Sequence, residues 1–353
     1  GYNNLHPNQH ARCIHAIKQV FRNKNNILII AENHSRNLAY FKSLFTLKNL
    51  FIKAGINTQV GVINSDQKSA IIYDLSEKEK LTIHPVQTIK NTIQINEFTP
   101  DLILLNNDLS SDPHPMLQHA NNIITPDLQL GWHHRRKSTH FTHYTYIAKA
   151  FANEFNFDSW LITCDFDFCD NINFMQKTGL DKLYAKTENL FYKIKQKYKQ
   201  HGIQEKPFVV LKSDQGTYGM AVMMIHSADE ILNLNRKQRT RMSNTKGNQT
   251  VSRVLIQEGV HSTERHNNKT AEAVIYNIGP YVVDSFYRYH DQKNGQENLN
   301  SPGMQFNSLK PAEQCSVNRF YAYSVTARLA TLATALEATH IKQEKLCSAS
   351  ALL

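Results

Sequence analysis

No apolar run in this chain approaches the roughly 18 residues that a membrane span requires, and the longest candidate, ILIIA at 27–31, is the size of a strand. An integral membrane protein is therefore not expected. Cysteine is scarce and odd in number: Cys13, Cys164, Cys169, Cys315 and Cys347 are scattered, which excludes a disulfide framework and fits a reducing, cytoplasmic setting. The opening GYNNLHPNQH lacks a charged and then apolar leader, so the Asn-x-Ser/Thr triplets at Asn33, Asn248 and Asn268 read as chance rather than as glycosylation sites. Acidic residues are outnumbered, 30 against 40 basic ones, and the net charge of +10 favours anionic partners: nucleic acid, nucleotides or acidic metabolites. The denser basic groups HHRRK (133–137), KIKQKYK (193–199) and RKQRTR (236–241) do not alternate with aromatic residues as a base-stacking surface would. They read as solvated faces, and nucleic acid is not expected as the partner. Also missing are GxxxxGK[ST], GxGxxG after a strand, GxSxG, HExxH and CxxC, which removes the commonest nucleotide, hydrolase and zinc signatures.

What is present suits a folded protein of two or three lobes, since 353 residues exceed what one core of about 150 residues accounts for. In the first third, NILIIAEN (26–33) reads as a buried strand, LAYFKSLFTLKNLFIKAG (38–55) as a helix closing on Gly55, and TQVGVIN (58–64) as the next strand. A hairpin-like pair (70–75, 81–86) and a strand DLILLNND (101–108) follow. This β-α-β order implies a parallel sheet whose ligands sit beyond the carboxyl ends of its strands. From 138 to 203 the pattern is mostly helical, with a break at Trp160 and Leu161. From Pro207 a second, α+β region begins, with strands at 206–212, 221–226, 252–260, 271–278 and 281–290, then a long helix over 319–340. His133, His134, His140 and His143 have no cysteine or carboxylate companions and read as surface or hydrogen-bonding histidines rather than metal ligands.

Three stretches carry chemistry. In PFVVLKSDQGTYGMAVMMI (207–225) a lysine at a strand end precedes a glycine hairpin, a combination able to set an ammonium and backbone N–H groups around a polyphosphate. VLIQEGV (254–260) runs an apolar strand into a carboxamide and a carboxylate that could read adenine and ribose; a strand meeting a turn is the plain alternative. ENLNSPGM (297–304) clusters hard oxygen donors of the kind that suit Mg²⁺, with an Asn-rich turn as the plain alternative.

Taken in order, ENHSRN (32–37), LILLNNDLSS (102–111), GWHHRRKSTHF (131–141), KPFVVLKSDQGTYGM (206–220), LNRKQR (234–239), VLIQEGV, AEAVIYNI (271–278), FYRYH (286–290), ENLNSPGM and NRFYAY (318–323) resemble the proteobacterial glutamate–cysteine ligase family with the ATP-grasp fold. The resemblance covers nearly the whole chain. It implies a Rossmann-like parallel-sheet domain at 1–136, an ATP-grasp domain at 137–353 with a lid-type subdomain near 205–260, and cytoplasmic, ATP- and Mg²⁺-dependent joining of glutamate to cysteine. A further N-terminal segment is usual in that family and would precede Gly1. By the same resemblance Lys137 and Lys212 contact phosphates, Gly216, Thr217, Tyr218 and Gly219 form the lid, and Gln257, Glu258 and Val260 line the adenine. Glu264 or Glu272 holds the ribose, and Arg288, with Lys212, supports phosphoryl transfer. Glu297, Asn298 and Asn300 hold the metal, although many ATP-grasp enzymes carry Glu-x-Asn where this chain has Asn298-Leu299-Asn300 behind Glu297. Asn33, Arg36, Asn107, Asp108 and Arg135 are the candidates for glutamate. The alternatives are a glutathione synthetase or another amino-acid ligase of the same fold and, from a different class, a basic nucleic-acid-binding protein.

Overall fold

The computed structural model describes residues 1–33, 37–64, 66, 68–216, 221–243, 250–301, 303–308 and 319–350, without the side chains of 308, 319 and 342–350. The chain forms two units. The first comprises Gly1–Gly131, Ala273–Arg288 and Gln305–Arg328; the second comprises Trp132–Glu272, Tyr289–Met304 and Leu329–Leu353.

In the first unit, strands Ile71–Asp74, Lys80–Pro85, Asn57–Val62, Asn26–Ala31, Leu102–Asn106 and Ile124–Thr125 lie in that order in one sheet. All neighbours are parallel except the antiparallel edge pair at 71–74 and 80–85. The central strand is apolar at every inner position because both faces are covered. Ile27, Ile29 and Ala31 pack with Phe41, Leu44 and Leu47 of helix Leu38–Lys53 and with Ile17 of helix His10–Val20, while Leu28 and Ile30 pack with Ile103 and Leu117 on the other side. Helix 38–53 ends at Ala54, and Gly55 takes φ +89°, the left-handed position that glycine supplies without strain. The stretches 273–288 and 305–328, which the sequence reading keeps in the second domain, group with this unit; Ile278, Val283 and Phe286 are buried in its core.

In the second unit, strands Val222–Ile225, Val209–Ser213, Arg253–Glu258 and Phe166–Asp170 form an antiparallel sheet in that order. Helix Leu180–His201 covers one face: Leu183, Leu190 and Ile194 are buried with Val209, Leu211, Val254 and Ile256. Strand 166–170 corrects the helical reading of 138–203. Its FDFCD alternation places aspartates where an apolar run would have marked a strand. A further sheet orders Arg265–His266, Lys269–Ile278, Tyr281–His290 and Met304–Ser308, and the last helix runs from Arg319 to Ser350. The mixed α/β character and the parallel first sheet follow the expectation from sequence. Among the described residues no helix is long and apolar enough to cross a membrane.

Candidate functional site

The period-two alternation of strands builds the site. With Val209, Leu211, Val254 and Ile256 turned to helix 180–201, the intervening Val210, Lys212 and Gln257 face the other way. There they line a cavity of about 860 Å³ that lies within the second unit. Lys137, Val222, Met224, Val260, Glu272, Glu297, Asn298 and Asn300 border the same cavity.

Two lysines on its wall are short of solvent. Lys137 is the first residue of helix Lys137–Glu154, and its Nζ donates to the carbonyls of Ser213 (3.0 Å) and Gly216 (2.9 Å). Burial, then the neighbouring Lys212, bring its pKa down to about 8 against the opposing pull of Asp214. Lys212 is also lowered by burial, against the pulls of Cys164 and Asp214. Its ammonium lies 5.5 Å from the centre of the Phe141 ring and has no hydrogen-bond partner among the described residues. Two neighbouring cations held in a poorly solvated wall favour an anion in the adjoining space.

Beside them, Gln257 leaves its Oε1 buried without a hydrogen-bond partner among the described residues, next to the Cys164 thiol, which burial and Glu258 push up to about 12. Glu258 borders the cavity, but its carboxylate is committed to the fold. It accepts from Trp160 Nε1 (3.1 and 3.2 Å) and from the Asp165 N–H (2.8 Å), with a pKa raised by burial despite those bonds. Val260 is exposed at the rim. Of the two ribose candidates, Glu272 lines the cavity, whereas Glu264 is buried and absent from the lining.

The oxygen cluster lies in a turn. Glu297 Oε2 accepts from the Asn294 N–H (3.0 Å), Asn298 Oδ1 from the Asn300 N–H (2.9 Å), and Lys293 donates to the Asn298 carbonyl (2.9 Å). Glu297 Oε1 and the Asn300 carboxamide remain without a hydrogen bond to a described residue. The described residues contain no group of three or more His, Cys, Asp or Glu able to hold a metal alone. The donors here are nonetheless all oxygen, which suits a hard cation that completes its shell with phosphate and water.

The other expected residues either do not line this cavity or lie outside the described residues. Arg288 belongs to the first unit. Thr217, Tyr218, Gly219 and Arg36 lie outside the described residues, and Gly216 takes φ +85°. Asn33 is exposed, Asn107 Oδ1 accepts from the Leu109 N–H (2.8 Å), and the Asp108 N–H donates to Glu32 Oε1 (3.2 Å), all at the carboxyl ends of the parallel strands. Arg135 is in the second unit, where its fork closes on the buried Glu337 (2.8 to 3.1 Å) and meets Thr334 and His140. Sequence reasoning missed Arg241, Gln238 and Lys293, which also border the cavity. The basic run 236–241 reads as a solvated face; the signal that hinted otherwise was LNRKQR (234–239), one of the blocks of the family resemblance, which names no role for Gln238 or Arg241.

The profile of the glutamate–cysteine ligase family matches residues 1–338. A crystal structure of a protein provisionally named gamma-glutamylcysteine synthetase, from Methylobacillus flagellatus KT, is 36% identical, with a TM-score of 0.88 over 97% of this chain and 84% of that one. Weaker likenesses include the VanG D-Ala:D-Ser ligase of Enterococcus faecalis (9% identity, TM-score 0.46, 88% of this chain and 82% of that one). Another is the D-alanyl-alanine synthetase A of Vibrio cholerae (10%, 0.41, 89% and 81%), and at such values neither carries weight. No curated protein matches the chain. By class, then, this is a ligase, an enzyme that joins two molecules. Within that class the chain belongs to the glutamate–cysteine ligase family.

Proposed function

We propose that the cavity of the second unit binds ATP and that the protein uses it to join the γ-carboxylate of glutamate to the amine of cysteine, the first step towards glutathione. One observation carries the reading: two desolvated lysines share a cavity wall with a carboxamide oxygen that is buried and has no hydrogen-bond partner among the described residues. A polyphosphate answers the first feature and the amino group of adenine the second. The same arrangement, an antiparallel sheet with Lys212 on its cavity face and Lys137 at the start of the adjoining helix, supports the ATP-grasp reading of this unit.

Lys137 and Lys212 hold the phosphates, Gln257 accepts from the adenine amino group, Val260 lines the base and Glu272 accepts from the ribose hydroxyls. Glu297 and Asn300 offer oxygens to a divalent cation, with Asn298 shaping their turn. Such a cation, when bound, neutralises charge on the phosphate oxygens. A carboxylate is a poor electrophile at neutral pH; transfer of the γ-phosphoryl group of ATP, with ADP leaving, turns it into an acyl phosphate, and attack by the deprotonated amine forms the amide as inorganic phosphate leaves. The protein's share is positioning and charge stabilisation, which desolvated ammonium groups provide without reorganisation during the reaction.

ADP release by the purified chain, measured with each amino acid omitted in turn, tests the substrates. Release that requires glutamate and cysteine together is expected. Release with γ-glutamylcysteine and glycine instead would assign a glutathione synthetase, and no release with any pair would remove the ligase reading of the cavity.

A further inference from the structure

Helix Lys137–Glu154 starts without a capping side chain of its own, because Arg136 occupies the position where Ser, Thr, Asp or Asn would serve. The cap comes from Asp214, which is fully buried at the end of strand Val209–Ser213. Its Oδ1 accepts from the Ser138 N–H (2.7 Å), its Oδ2 from the Ser138 hydroxyl (2.7 Å), and its backbone carbonyl from the Lys137 N–H (2.9 Å). Arg253 Nε lies 2.7 Å from the same Oδ2. Its other nitrogens reach Asp170 (2.9 Å) and the Ser138 hydroxyl (3.3 Å), and its guanidinium sits 3.8 Å above the Phe168 ring. The two carbonyls that receive the Lys137 ammonium belong to Ser213 and Gly216, on either side of Asp214. One carboxylate thus ties the helix that starts with Lys137 to the strand that ends beside Lys212.

We propose that Asp214 is the positioning residue of the nucleotide site: by capping helix 137–154 from outside and pairing with Arg253, it fixes Lys137 against the strand of Lys212 so that both ammonium groups address one phosphate tail. The inference rests on the ATP reading of the cavity. Asp214 touches no phosphate in this role and acts through Lys137. Charged groups around Lys137 are Lys212 and Asp214 on or just after strand 209–213, Arg253 on the adjoining strand, Asp170 on the strand beyond it, and Arg135 in the segment before the helix, which shares the Trp132 ring with Lys137.

The experiment measures the affinity of the full chain for an unhydrolysable imido analogue of ATP with magnesium, from neutral to alkaline pH. Wild-type affinity is expected to fall as pH passes about 8, where Lys137 loses its proton. Asp214→Asn is expected to bind about tenfold more weakly at neutral pH, with the fall displaced to lower pH because the charge that holds the proton is gone. Asp170→Asn removes the other carboxylate on Arg253 and is expected to unfold at lower temperature while its affinity falls at the wild-type pH. If Asp214→Asn does not fold, Ser138→Ala removes one of the bonds and is expected to bind about threefold more weakly. A folded Asp214→Asn with the wild-type profile, an Asp170→Asn that moves the profile as far, or a destabilised Ser138→Ala with unchanged affinity overturns the proposal. Wild-type protein that does not bind the analogue at any pH overturns the ATP reading and this inference together.

Discussion

The sheets of the two units treat their polar groups in opposite ways. At the carboxyl ends of the parallel strands, polar side chains turn back onto the chain: Asn107 receives the Leu109 N–H, Glu32 receives the Asp108 N–H, and the Tyr40 hydroxyl receives the Glu32 N–H while donating to the Asn106 carbonyl. On the cavity face of the antiparallel sheet, Lys212 and Gln257 Oε1 have no such partners among the described residues. A buried polar atom left unmatched costs about 1 to 3 kcal/mol, and a desolvated charge more. The first edge uses its polar groups to shape turns, whereas the second keeps them open at a penalty that a ligand can remove.

Lys212→Met tests this difference where it should be largest. Turnover is expected to fall about a thousandfold, the loss seen when one preorganised charge or donor leaves a transition state. Thermal stability should hold or rise, because the desolvated ammonium is gone. The pH dependence has a definite sign: the folded protein holds the Lys212 proton less tightly than the unfolded chain, whose pKa is near 10.5. Wild-type stability should therefore climb as pH rises from the lowered pKa towards 10.5, and the variant should lose the share of that climb due to Lys212 and keep the share due to Lys137. A variant that unfolds early but turns over normally would make Lys212 a fold support like Asn107 and break the comparison.

Within the second unit, Arg135 gives the converse case. Its guanidinium is closed by Glu337, whose side chain is 2% exposed. Burial opposes ionisation of that carboxyl, but hydrogen bonds from His140 and Arg135 outweigh it and hold the pKa below the ordinary value. Glu337→Gln should lower stability by about 2 to 3 kcal/mol in chemical denaturation, because the half-buried Arg135 is left without its counter-charge. Affinity for the ATP analogue should be unchanged once the variant is folded.

Much of this contrast is legible in the sequence, for a physical reason. Lys212 stands out because a lysine ending an apolar strand ahead of a glycine loop is a local pattern, and so are the strand alternation behind Gln257 and the oxygen donors of 297–300. What stays hidden depends on partners distant in sequence. Arg135 looks available until Glu337, 202 residues away, is folded against it. Glu258 looks like a ligand group until Trp160 and Asp165 take its carboxylate, and the cap of helix 137–154 lies 76 residues downstream of Ser138. Strand 166–170 is hidden because its aspartates break the apolar run, and the return of 273–288 to the first unit is a matter of topology that no local window records.

Gln257→Leu sharpens the comparison with a smaller effect. The leucine keeps the bulk on the cavity face and removes an acceptor that has no partner. Apparent KM for ATP is expected to rise about tenfold, the loss of one well-placed hydrogen bond, while stability rises slightly. Steady-state kinetics with ATP varied, beside a thermal melt, reads both. A loss of stability with unchanged KM would mean that the carboxamide supports the fold, through its contact with Cys164, rather than a ligand.

The smallest effect is expected at Tyr40, on the parallel sheet. Its hydroxyl is 2.8 Å from both the Glu32 N–H and the Asn106 carbonyl, so it bridges the ends of the neighbouring strands Asn26–Ala31 and Leu102–Asn106. Tyr40→Phe preserves the ring that packs near Phe41 and removes the bridge. Stability should fall by about 1 kcal/mol, the usual net worth of such a bond, with affinity for the ATP analogue unchanged. The asymmetry between the sheets predicts opposite signs for this pair of variants: removing a polar group from the parallel sheet weakens the fold and spares the ligand, and removing one from the cavity face weakens the ligand and spares the fold. A Tyr40→Phe protein that melts like wild type but binds the analogue poorly would place ligand contact where the satisfied hydrogen bonds argue against it.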